Sequence, residues 1–210
     1  MATATTRPIP AALEGRVVND EPMSVDEYLE WERAQTEERH EYIDGWAVRV
    51  SGASLEHNII VSNFSLLLAT QLQDTDCRAL TNDLRVALPS VEKYAYPDVV
   101  VYCGEPELEE GHPDMLYNPT VIVETLSPTT EGYDRGEKFA RYRQIDTLRE
   151  YLLVAQDRPH VEHYVRQDDG SWRFTESDDL DTEITCPSLD VTLPLTEVYL
   201  DVSFDSDDPD

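Results

Sequence analysis

Two carboxylates at the ends of β-branched runs, and one of only two lysines, are the residues of this chain best placed to do chemistry. Asp98 opens Asp98-Val99-Val100-Val101-Tyr102, and Glu124 closes Thr120-Val121-Ile122-Val123-Glu124. If the two runs are neighbouring strands, both acids reach one end of a sheet, where burial raises a carboxylate's pKa unless something positive compensates. A divalent cation is the usual compensation, and oxygen donors at that spacing suit Mg²⁺, with Mn²⁺ an alternative. Lys138, on a helix expected to leave the second strand, is placed to hold a water or an anionic substrate oxygen beside such an ion. That set of parts fits phosphodiester hydrolysis. It also fits a structural reading, in which Asp98 caps a turn after Pro97 and Glu124 pairs with an arginine.

Positioning these residues falls to the elements around them. Ser24-Val25-Asp26-Glu27 reads as a capping box that opens a helix to about Ala34, with Val25, Tyr28, Leu29 and Trp31 available for packing. Residues 40–50 read as a hairpin turning at Asp44-Gly45; Glu41 on it either faces the site or is an ordinary strand glutamate. Ser54 caps a second helix, in which Ile60, Phe64, Leu67, Leu68 and Leu72 recur at helical spacing. His57 in its first turn reads as a capping or packing histidine, because no second His or Cys stands at ligand spacing.

Residues 77–88 have an extended pattern, with Arg85 a candidate basic contact near the cleft. Residues 105–119 are acidic and show no periodicity, so a loop between the two key strands is expected. After the break at Ser127-Pro128 a helix runs to about Arg143. Asp134 and Lys138 lie i, i+4 on it, either as an ordinary helix ion pair or with Asp134 turning the ammonium toward the strand ends. Further strands are expected at Glu150–Ala155 and over residues 160–165 and 171–175, with Asp169-Gly170 as a hairpin turn. His160 and His163 would fall on opposite faces and make poor joint metal ligands. Residues 189–200 are expected to end the sheet. The whole reads as one domain over residues 22–200, between a flexible tail at 1–21 and a disordered acidic tail at 201–210.

Composition pulls against a nucleic-acid partner. Sixteen Lys and Arg stand against 44 Asp and Glu, a formal charge of -28, the opposite of a basic footprint. A locally positive cleft reconciles the two, and so does a halophilic protein built for a high-salt cytoplasm, since at molar salt the screening length falls to about 3 Å and a global acidic field hardly repels a polyanion. The same charge supports a different class of protein: a non-catalytic acidic interaction protein on a nuclease-like fold, a DNA mimic toward a basic partner. Cys77, Cys103 and Cys186 are unevenly spaced with no CxxC, so neither a disulfide framework nor a zinc site is expected. No stretch has the apolar length of a membrane span, and the first residues lack a secretory core, so a cytoplasmic protein with no membrane partner is expected.

Six segments, taken in order, carry a family resemblance. They are Arg39-His40-Glu41-Tyr42-Ile43-Asp44-Gly45, the helix with His57, Tyr96-Pro97-Asp98-Val99-Val100-Val101, Val123-Glu124-Thr125-Leu126-Ser127-Pro128, Asp134 to Tyr142 with Lys138 inside it, and Arg149-Glu150-Tyr151-Leu152-Leu153-Val154. Over roughly residues 23–164 the chain resembles the Uma-two restriction endonuclease family, a branch of the PD-(D/E)XK nuclease superfamily. The resemblance implies an α+β (mixed α/β) fold, a restriction-endonuclease-like mixed β-sheet flanked by helices. It implies Asp98 and Glu124 as metal ligands, Glu41 as a further acidic catalytic member, and Mg²⁺-dependent endonuclease cleavage of DNA phosphodiesters. One departure stands out: the superfamily's lysine, two residues after the glutamate, is Leu126 here, which makes Lys138 its stand-in. Asp134 and Tyr142 would support the site from behind. A homodimer would be the natural way for one site per chain to cut two strands.

Overall fold

The caps and turns read in the sequence form. Ser24 accepts a hydrogen bond from the Glu27 backbone N–H while the Glu27 carboxylate accepts from the Ser24 N–H, opening α1 (Val25–Arg33). Ser54 does the same for the His57 N–H at the start of α2 (Leu55–Gln71). Asp44 and Gly45 take φ of 52° and 96°, the two left-handed residues a tight hairpin needs between β1 (His40–Ile43) and β2 (Trp46–Arg49). The structure, a computed structural model, describes residues 9, 13, 15–50, 52–81, 84–88, 93–110, 112–128 and 130–204.

The rest of the order is β3 (Cys77–Thr81), β4 (Arg85–Leu88), β5 (Lys93–Ala95), β6 (Val99–Cys103), β7 (Leu108–Glu109), β8 (His112–Leu116) and β9 (Val121–Leu126). A helical run follows, made of α3 (Glu131–Tyr133), a π-helical turn (Asp134–Lys138) and α4 (Phe139–Tyr142). Then come β10 (Glu150–Ala155), β11 (Val161–Arg166), β12 (Trp172–Ser177), β13 (Glu183–Cys186), β14 (Val191–Pro194) and α5 (Leu195–Val198).

Strands β12-β11-β10-β9-β6-β3 form the main sheet, and β2-β1-β5-β4-β8-β7 a second one. The main sheet is mixed, since β9 runs parallel to β10 and antiparallel to β6. All six residues of β9 and of β10 are buried, which explains why they read as continuous apolar runs: both faces are covered. On one face Ile60, Phe64 and Leu68 of α2 pack against Val99, Val101, Val121, Val123 and Leu152. On the other, Tyr142 of α4 packs with Val100, Ile122, Tyr151 and Leu153. Helices therefore flank a mixed sheet, as expected.

Three expectations need correcting. Residues 105–119 are not a plain loop: β8 pairs in parallel with β4, Arg85 opposite Met115 and Val86 opposite Leu116. Only Met115 and Leu116 of β8 are buried, so the segment carries too short an apolar signal to show a period. Residues 189–200 do not end the main sheet; β13 and β14 form a separate two-stranded hairpin, followed by α5, whose apolar residues cover the α2 side of the core. And Cys77 and Cys103, opposite each other on β3 and β6, form a disulfide. Their positions in sequence do not show that these two strands pair in that register.

Within the segment expected to be an N-terminal tail, Leu13 is fully buried and Val17 bridges Val48 of β2. Residues 1–8, 10–12 and 14, and 205–210 of the acidic tail, lie outside the described residues. Among the described residues no helix is long and apolar enough to cross a membrane.

Candidate active site

Antiparallel pairing sets the two acids side by side. Val99 of β6 stands opposite Val123 of β9, so Asp98, one residue earlier, comes level with Glu124, one residue later. The Asp98 carboxylate is fixed at both oxygens: Oδ2 accepts the Thr125 backbone N–H at 2.7 Å, and Oδ1 lies 3.2 Å from His57 Nε2 at the start of α2. Glu124 is only 4% exposed.

Lys138 reaches these strand ends. Its Nζ lies 2.8 Å from Glu124 Oε1, 3.1 Å from Glu41 Oε1 on β1 and 3.6 Å from Asp134 Oδ1. Tyr142, one turn further on, donates its hydroxyl to the same Glu124 Oε1 at 3.0 Å. The π-helical turn is the local device, because a π turn inserted in a helix shifts where the following side chains point, and such turns recur at functional sites. Glu41 in turn accepts the Tyr96 backbone N–H at 3.4 Å, which ties β1 to the segment entering β6.

Electrostatics separate the partners. Burial works to strip the proton from Lys138, but Glu124, Glu41, Tyr142 and Asp134 outweigh it and hold the ammonium charged well above the ordinary lysine range. Burial pushes Glu124 well above the usual carboxylate range; Lys138 opposes this, while Asp98, Asp134 and Glu41 add to it. Asp134 is raised by burial too, against the pull of Lys138 and a hydrogen bond from Thr130. Glu41, Asp98, Glu124 and Asp134 thus outnumber the one ammonium among them.

A divalent cation fits this donor set. The oxygens are hard ligands and the carboxylates are in excess, while Lys138 and Tyr142 both meet Glu124 at Oε1. Glu41, His57, Asp98, Glu124, Asp134 and Lys138 line one cleft of about 1120 Å³. Three of the chain's arginines, Arg16, Arg39 and Arg49, line it as well, as do Glu37 and Glu38, the latter paired with Arg49.

Asp98, Glu124, Lys138 and Glu41 thus converge. Arg85 does not join them: its Nε donates to Tyr96 Oη at 2.5 Å and its Nη1 pairs with Asp114 at 3.2 Å, behind the cleft wall. His57, read as a capping or packing residue, faces Asp98 instead. Its partner is 41 positions away, so no local spacing could reveal it.

The chain matches the Uma2 family model, described as "Putative restriction endonuclease", over residues 25–196. This chain belongs to the Uma2 family. Two proteins of Synechocystis sp. are similar to this Uma2 chain, both described as uncharacterized. The first, slr1290, is 34% identical over 185 residues, covering 87% of this chain and 94% of its own length. The second, sll1609, is 37% identical over 154 residues, covering 73% and 86%. Among solved structures, "a putative nuclease belonging to DUF820" from Anabaena variabilis superposes with a TM-score of 0.70 at 20% identity, over 85% of this chain and 98% of that one. At that identity the likeness establishes a shared nuclease-like fold.

Proposed function

We propose that this Uma2 protein is a Mg²⁺-dependent endonuclease that hydrolyses DNA phosphodiester bonds, with Mn²⁺ able to replace Mg²⁺. The observation that carries the reading is the meeting of Lys138 with Glu124 and Glu41 beside Asp98, all in one cleft. Asp98 and Glu124 would hold the metal. When bound, the ion neutralises the carboxylates and polarises a phosphoryl oxygen.

The chain's own groups do the rest. Lys138, held as an ammonium, donates hydrogen bonds to the attacking water or to a phosphoryl oxygen and stabilises charge that develops there. The carboxylates around it hold it as the ammonium in the metal-free fold, the form that donates. Glu41 and Asp134 steer the ammonium, Tyr142 orients Glu124, and His57 with the Thr125 N–H fixes the Asp98 carboxylate. Arg16, Arg39 and Arg49 line the cleft where phosphates flanking the scissile one would lie, and Arg49 would exchange its partner Glu38 for such a phosphate. One site cuts one strand, so double-strand cleavage calls for two chains.

The test is nicking of supercoiled plasmid in Mg²⁺ or Mn²⁺ at high salt. Loss of nicking in Asp98→Ala and Lys138→Ala supports the reading; equal cleavage by the parent and both variants overturns it. The charge of -28 favours one second reading, a non-catalytic acidic partner for a basic protein. Calorimetry separates the two, since that protein would bind the basic partner and take up neither Mg²⁺ nor Mn²⁺.

A further inference from the structure

The α2 side of the main sheet buries a second group of ionisable side chains, none of which lines the cleft. Glu150 opens β10 and His163 sits on β11; the register sets Leu152 opposite His163 and Glu150 opposite Val165, so the two are diagonal neighbours on one face. Cys186 ends β13 on the hairpin that covers this face. Glu150 and Cys186 are fully buried and His163 is 5% exposed. The Glu150 Oε2 lies 2.6 Å from His163 Nε2, its Oε1 accepts the Ser188 backbone N–H at 2.7 Å, and the carboxylate oxygen, imidazole nitrogen and thiol sulfur all lie within 4.8 Å of one another.

We propose that Glu150, His163 and Cys186 form a structural metal site for a zinc-like divalent ion, distinct from the hard-cation site of the cleft. The donor chemistry selects the ion. Thiolate and imidazole suit a borderline-soft ion such as Zn²⁺, whereas Mg²⁺ wants an octahedron of oxygens. Charge agrees: one carboxylate, one thiolate and a neutral imidazole cancel a dication, so the loaded site buries no net charge. Tetrahedral zinc ligands at about 2.1 Å stand roughly 3.4 Å apart, so the Glu150–His163 pair, at 2.6 Å, must open by about 0.8 Å to admit the ion.

Loading releases the Cys186 thiol proton to solvent, and His163 binds through Nε2 with its own proton on Nδ1. The Ser188 N–H keeps Glu150 Oε1, orienting the carboxylate while Oε2 binds. Three protein donors leave the fourth position to a water. The site would pin the β13–β14 hairpin to β10 and β11, joining the last elements of the chain to its central sheet.

The experiment uses the full chain, stripped with a chelator and titrated with Co²⁺. One equivalent should raise the near-ultraviolet thiolate-to-cobalt band, a large excess of Mg²⁺ should not remove it, and Zn²⁺ should displace it while raising the melting temperature. The band should be lost in Cys186→Ser, lost or weakened in His163→Gln, and retained in the Cys77→Ser/Cys103→Ser pair and in Asp98→Ala. Circular dichroism establishes that each variant is folded, and His163→Gln carries the test if Cys186→Ser is not. A folded parent chain that shows no thiolate band, or a band that survives both Cys186→Ser and His163→Gln, overturns the proposal.

Discussion

Lys138 Nζ and Glu124 Oε1 are 2.8 Å apart at the end of the main sheet, with both side chains almost wholly withdrawn from water. The ammonium is held by carboxylates from three separate elements, so its position is set by the fold and not by its own helix alone.

Replacing it should therefore be costly twice over. Lys138→Met keeps the bulk of the side chain but leaves Glu41, Glu124 and Asp134 facing one another without a counter-charge. Removing one partner of a buried pair costs about 3–5 kcal/mol, and losing a positioned donor at developing charge costs about 10²–10³ in rate. Urea unfolding and plasmid nicking measure the two effects separately, and Lys138→Arg should recover stability better than activity.

Tyr142→Phe isolates one hydrogen bond. The hydroxyl that donates to Glu124 Oε1 is lost while the ring keeps its packing against Tyr151. An intramolecular hydrogen bond contributes about 0.5–1.5 kcal/mol net. The melting temperature should fall by the corresponding amount, and nicking should slow with no change in the DNA concentration at half-saturation.

Metal binding should tighten as pH rises. Because Glu124 is raised, the metal-free fold holds a proton that the unfolded chain releases near 4.5, so this contribution to stability is full below that value and fades as pH climbs toward the folded pKa. A divalent ion competes with that same proton. The Mn²⁺-induced shift in melting temperature should be larger at mildly alkaline than at mildly acidic pH, and a shift that shrinks with rising pH would contradict this assignment of Glu124.

Reduction of the Cys77–Cys103 bond should lower stability without emptying the cleft. The bond closes a loop of sequence separation 26, for which loop-closure entropy gives about 3–4 kcal/mol. Cys77→Ser and reductant should each lower the urea midpoint, and their effects should not add. Mn²⁺ should still stabilise the reduced chain.

That these side chains could meet at one sheet end is legible in the sequence, and the reasons are physical. Asp98 and Glu124 stand out because each ends a run that must be buried on both faces, where an acid needs a reason to be. Lys138 stands out through scarcity, and Ser24, Ser54 and Asp44-Gly45 through caps and turns whose chemistry is local. What was illegible depends on pairing between distant strands. The Cys77–Cys103 bond, the His57–Asp98 contact and the grouping of Glu150, His163 and Cys186 each need a register that no window of sequence contains. The π-helical turn belongs with them, since the residues from Asp134 to Lys138 have no spacing that separates it from an ordinary helix.

The strand order has a consequence for how the protein comes into being. Glu124 sits on β9, between β6 and β10, and β10 follows Lys138 in the chain. A nascent polypeptide that has left the ribosome only as far as β9 carries the acids but neither the ammonium nor the strand that closes over them. Completion of the cleft is thus deferred to the later part of synthesis, and a product truncated after β9 lacks Lys138 and Asp134.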